Sequence, residues 1–161
     1  MRTNPSPGAG NIEFKTYTKP MNSKPKSPYE KTRGMIWFPR MLDKIRLHSK
    51  DQLHPDFHQN MGRPMCADGF CCGYLRVPYD HLRKRALAGG TDEDILQWCF
   101  DNGRKLDEAD IIIWNEFIRK LGWNDMVTPM LQSVKATSGL AHRNDILTMP
   151  EYMEVDEGRK A

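Results

Sequence analysis

The sequence has no long apolar run. Nothing in it approaches the roughly 18 consecutive apolar residues of a bilayer-spanning helix, so a membrane span is excluded and a cytoplasmic location is expected. Met1 to Gly10 is polar and rich in Pro and Gly, without the apolar centre of a secretory leader. Cysteine is scarce, with four in 161 residues, and none form a Cys-x-x-Cys pair. Cys66, Cys71, Cys72 and Cys99 are therefore expected as free thiols, not as a disulfide framework. No glycine-rich loop is present to cradle phosphate, so Asp107-Glu108-Ala109-Asp110 spells a helicase tetrapeptide without its chemistry. Strand-like alternation of β-branched and polar residues is also lacking.

Net positive charge on the body of the chain is another absence. Residues 1–28 hold five of the 24 Lys and Arg and one of the 21 Asp and Glu, which leaves that segment at +4 and residues 29–161 at −1. A DNA-reading domain carries its basic face on the fold itself, so this distribution disfavours one.

What is present divides at the same place. Residues 1–28 contain five of the eleven prolines and few large apolar side chains. Alone they bury too little surface to offset the entropy of ordering, and an extended arm is expected. From Pro39 onward helices follow one another: Pro39 suits a first turn, Met41, Leu42 and Ile45 share one face, and Gly89-Gly90, Gly103, Gly122 and Gly139 supply stops. Thr91 caps a helix whose first turn holds Asp92, Glu93 and Asp94. Lys50 to Gly73 reads as loop with a short helix around Asp56–Asn60. Ile111, Ile112, Ile113, Trp114, Phe117 and Ile118 cover more than one face, which predicts a central helix. The expected architecture is all-α: one compact domain of five to six helices over 29–161, with the arm at 1–28.

Three groups of residues could carry function. Arg40, Asp43, Lys44 and Arg46 lie together on the first helix, where Arg40 could grip a phosphate or carboxylate with Asp43 orienting it. The plainer alternative is a solvated ion-paired face. His48, His54, His58, Cys66, Cys71 and Cys72 include metal-ligand types, but adjacent cysteines seldom share one tetrahedral ion, so no metal is assigned and no cofactor is named. Cys72 paired with a histidine would be a nucleophile only if its pKa were lowered. Trp114 and Asn115 form the third group; the amide beside apolar neighbours needs partners if buried, or faces a pocket.

Several stretches together resemble a bacterial family of small proteins known only as a domain of unknown function. They are Trp37-Phe38-Pro39-Arg40-Met41-Leu42-Asp43-Lys44-Ile45-Arg46, Gly69-Phe70-Cys71-Cys72, the run from Ala88 to Phe100, and Ile113-Trp114-Asn115-Glu116-Phe117 with Gly122-Trp123. The resemblance implies a shared small helical fold and no particular activity. Arg76 stands where the family pattern leads one to expect glycine.

The favoured functional expectation is a non-catalytic accessory protein whose arm docks onto a larger protein assembly. Phe14, Lys15, Tyr17, Lys19, Lys24 and Lys26 are the candidate anchors. The alternative is a small enzyme or anion-binding domain, its pocket between the Arg40/Asp43 helix, a Cys71-Cys72 loop and the Trp114-Asn115 helix. Binding of nucleic acid by the basic arm ranks below both.

Overall fold

The structure, a computed structural model, describes residues 23–161. The order is β1 (Lys31–Thr32), β2 (Met35–Ile36), α1 (Phe38–Ser49), a 3-10 helix (Pro55–Asn60), α2 (Ala67–Leu75), α3 (Tyr79–Leu87), α4 (Asp92–Asn102), α5 (Glu108–Lys120), α6 (Thr128–Thr137) and α7 (Met149–Asp156). The fold is mostly helical, as the sequence leads one to expect. The helix number differs: seven α-helices and one 3-10 helix stand among the described residues, against the five or six expected.

The added α-helix is α2, which the sequence reading left as loop. Gly69 and Gly73 argue against a helix there, since glycine disfavours a helix interior. Packing decides otherwise. A Cβ on Gly69 would lie 2.2 Å from the carbonyl oxygen of Arg63, so the glycine lets the preceding turn fold back onto the helix. The left-handed residue that ends α2 is Arg76, with φ of 54°. A non-glycine residue thus fills the position where glycine was expected.

A two-stranded ribbon is a second departure. β1 and β2 pair antiparallel across a turn at Arg33 and Gly34, whose φ values of 49° and 85° match the hairpin turns that need positive φ. Two residues per strand are too few to show alternation.

Side-chain caps set the start of three of the seven α-helices. Thr91 and Asp94, Asp107 and Asp110, and Thr148 and Glu151 form reciprocal capping boxes at α4, α5 and α7. The central helix is α1, not α5. Phe38, Met41, Leu42 and Ile45 are fully buried on α1, which packs against β1 and α3. On α5 only Trp114 and Ile118 are buried, while Ile112 and Ile113 are 57% and 61% exposed. Each large apolar side chain taken out of water contributes roughly 1.5–3 kcal/mol, so α1 contributes more to this core than α5 does. No helix among the described residues is long and apolar enough to cross a membrane.

Candidate functional site

Trp37 sits at the junction of ribbon and α1 with φ of 71°, a backbone conformation unusual for a bulky residue. That bend turns the indole inward. Its Nε1–H donates to Asp68 Oδ1 at 3.0 Å, and the same carboxylate accepts from Lys44 Nζ at 2.7 Å and the Gly62 amide at 3.2 Å. Asp68 and Lys44 are almost wholly buried. A charge in such a place is tolerable only when paired and hydrogen-bonded, which both are.

A second buried ion pair lies beside the first. Arg40 is 1% exposed, and its two terminal nitrogens grip both oxygens of Glu157, with Nη1 reaching Oε2 at 2.9 Å. Nη1 also donates to the Lys26 carbonyl at 2.7 Å. The guanidinium lies 5.5 Å from the Trp37 ring centroid and 5.6 Å from that of Phe57, within cation–π range. Arg159 bonds Glu154 and Glu157, and Ser27 Oγ donates to Glu154 at 2.8 Å. Residues 24–28 are thereby fastened to the end of α7, with Lys24 Nζ donating to the Glu157 carbonyl at 2.8 Å.

These two pairs form one side of a cavity of about 480 Å³ between α1, the 3-10 helix, the start of α2, α6 and α7. The facing wall is apolar and rich in methionine, with Met65, Val127, Met130, Met149 and Met153. Its mouth carries Lys24, His54 and the exposed carboxylates of Asp56 and Asp156. The volume lies within the range of small-molecule sites, and thioether side chains are flexible and polarisable.

The candidates from the sequence separate into three places. Arg40 and Lys44 line the cavity. The carboxylate that holds Arg40 is Glu157; Asp43 instead accepts from the Lys26 backbone amide at 2.9 Å. Arg46 turns to α4 and pairs with Asp92 at 2.5 Å. Cys71 and Cys72 lie within α2, not in a loop, and face the core, where Cys72 Sγ meets Met41 Sδ at 3.9 Å. Trp114 Nε1 donates to the Ile36 carbonyl at 2.9 Å. Asn115 takes the Ile36 amide at 3.0 Å and gives to the Gly34 carbonyl at 2.8 Å, so both residues pin the ribbon to α5. The cavity thus includes the first helix but lacks the Cys71-Cys72 and Trp114-Asn115 walls expected of it.

Lys24 and Lys26 fall on the domain itself, the Lys26 ammonium 3.6 Å from Asp92. Phe14, Lys15, Tyr17 and Lys19 lie outside the described residues.

Burial pushes the Cys72 and Cys99 thiols up to about 12 and that of Cys71 well above its ordinary value. Cys66, half-buried on the cavity and 3.6 Å from Asn60 Oδ1, is raised as well, again chiefly by burial. None of the four is set up as a thiolate, the form that attacks electrophiles and binds metals. Two of the histidines have local duties. His54 Nδ1 accepts from the Asp56 amide at 3.2 Å, and His58 Nε2 lies 3.1 Å from the Leu53 carbonyl. No group of three or more His, Cys, Asp or Glu among the described residues is placed to hold a metal ion.

Asp68, Glu157 and the methionine wall went unread in the sequence. The signal for them was the pair of cations itself: an Arg and a Lys one turn apart on the helix that carries Met41, Leu42 and Ile45 require acids from somewhere if buried.

Fold and site together define a small, mainly helical domain with two buried ion pairs bordering an apolar cavity. The chain belongs to the family described as a domain of unknown function, DUF5069, whose family model matches residues 22–159. No curated protein matches it.

Proposed function

We propose that this is a non-catalytic binding protein whose working site is the cavity between α1, α2, α6 and α7. One observation carries the reading: a cavity of about 480 Å³ lies beside two buried ion pairs. Buried charges cost desolvation energy that well-packed apolar residues would not, so an arrangement of this kind is spent on more than stability. The ligand class that suits a methionine wall with a polar floor is a small amphipathic molecule. The raised thiols favour binding over covalent chemistry. Native mass spectrometry of the protein isolated from its own cells tests this. A bound small molecule that is lost when Val134→Trp fills the cavity supports the reading, and a persistently empty chain that also ignores a panel of amphipathic probes overturns it.

A second reading, an accessory protein that docks on a larger assembly, has its own support. Ile112, Ile113 and Phe117 are exposed on α5, with Trp123 and Met126 exposed further along the chain. Apolar side chains grouped in this way often mark a protein contact. Association that survives both Ile113→Asp and removal of residues 1–22 counts against this surface and against the arm.

A further inference from the structure

We propose that the cavity takes an amphipathic carbonyl compound, a carboxylate or a ketone, head first. Its acceptor oxygen meets the Lys44 ammonium and its hydrocarbon chain lies along the methionine wall. The inference rests on the reading of the cavity as a ligand site and adds the class of ligand and the direction in which it enters.

Hydrogen-bond accounting defines the polar end. The carboxylate oxygens of the floor are all engaged. Asp68 Oδ1 accepts from Trp37 Nε1, and Oδ2 accepts from Lys44 and from the Gly62 amide. Glu157 Oε1 accepts from Arg40 Nη2, and Oε2 from Arg40 Nη1 and Arg159 Nη1. The donors are in excess. An ammonium carries three hydrogens, yet among the described residues Lys44 Nζ has one hydrogen-bond acceptor, Asp68. Arg40 Nε, also buried, has none. Both residues line the cavity. With its side chain 4% exposed, Lys44 has little access to bulk water, and an unmet donor in such a place is costly. What the floor lacks is therefore an acceptor. The two ion pairs cancel in charge, so the ligand must bring lone pairs but need not bring a negative charge. A cationic head, which brings donors alone, leaves the need unmet.

The remainder of the lining defines the apolar end. Met65 and Met130 are 60% and 42% exposed, and Val134, Met149 and Met153 continue the same wall. A hydrocarbon chain laid there removes apolar surface from water on both sides. The mouth competes poorly for the head: Asp56 and Asp156 repel an acceptor, and Lys24 is exposed and hydrated, so an ion pair there contributes little.

The test is calorimetric titration of the full chain with three probes of equal chain length: octanoate, 2-octanone and octylammonium. The two oxygen-bearing probes should bind, and octylammonium should bind about tenfold more weakly or not at all. Lys44→Met should weaken octanoate and 2-octanone by about tenfold, the worth of one hydrogen bond to a charged group. Because that variant also strands Asp68, the direction is read separately on the wild-type chain by NMR. Nuclear Overhauser contacts should join the terminal methyl of octanoate to the Met130 and Met153 methyls, and its C2 methylene to the Trp37 indole. Octylammonium binding as tightly as octanoate, or Trp37 in contact with the terminal methyl, places the polar end at the mouth; either overturns the proposal and leaves the ligand site standing. Unchanged affinity in a folded Lys44→Met chain overturns it in the same way. Failure of all three probes to bind overturns the proposal and the small-molecule reading together.

Discussion

The indole N–H of Trp37 and the carboxylate of Asp68 meet at 3.0 Å, and the same carboxylate holds the Lys44 ammonium at 2.7 Å. The position where the chain turns into its central helix is thus locked to the first turn of α2 by one acidic side chain. Asp68→Asn keeps the shape but strands Lys44 as a buried, unpaired cation. A loss of about 3–5 kcal/mol is expected in urea unfolding, and the Asp68→Asn/Lys44→Met double variant should recover part of it. Equal stability of wild type and Asp68→Asn would show that the pair is not buried in solution.

Arg40 and Glu157 hold residues 24–28 as well as each other. Glu157→Gln removes the charge from the carboxylate that Arg40 and Arg159 share. Amide exchange in residues 24–28 and 154–159 should rise markedly, while α3 and α4 keep their protection. A rise spread evenly over the fold would instead report general destabilisation.

The thiols give a pH dependence of definite sign. Cys72 and Cys99 titrate at about 12 in the folded chain because burial penalises the thiolate. Both values lie above the unfolded value of roughly 8.5. The stability this contributes is complete below that unfolded value and is lost as pH rises toward 12. The denaturation midpoint should fall between pH 8 and 11, and Cys72→Ala should flatten the slope. Native protein at pH 8 should react with a thiol reagent first at Cys66, the least buried of the four. Labelling of Cys72 at a similar rate would refute this order.

Asn115 separates a structural duty from a ligand-binding one. Its side-chain amide bonds the backbone of β2 at Ile36 and of the hairpin turn at Gly34. Asn115→Ala should cost about 1–3 kcal/mol, the range for leaving a buried partner unsatisfied. Binding of an amphipathic probe such as octanoate, the ligand class proposed for the cavity, should be unaffected, as titration calorimetry can show. A selective loss of binding with normal stability would return Asn115 to the site.

Helix boundaries were legible where side chains cap backbone locally, as Thr91 and Asp94 or Asp107 and Asp110 do. The helix that escaped notice, α2, owes its form to a tertiary event, the turn before it folding against Gly69. The misjudged depth of α5 has a comparable origin. Consecutive isoleucines look buried, yet Ile112 and Ile113 face outward because Trp114 and Asn115 together fix which side meets β2. In the site, Arg40 and Lys44 stood out as members of a charged group with Asp43 and Arg46 on the first helix. Their acids did not, since Glu157 lies 117 residues from Arg40 and nothing local ties the two.

That separation bears on how the protein comes into being. A nascent chain presents Arg40 long before Glu157 exists, and contacts so distant in sequence are made late and slowly. Through most of synthesis the guanidinium must stay hydrated, and α1 cannot settle fully into its place. The cavity is therefore among the last parts of the molecule to close, and any shortening of the chain before Arg159 would release a polypeptide with helices but no finished site.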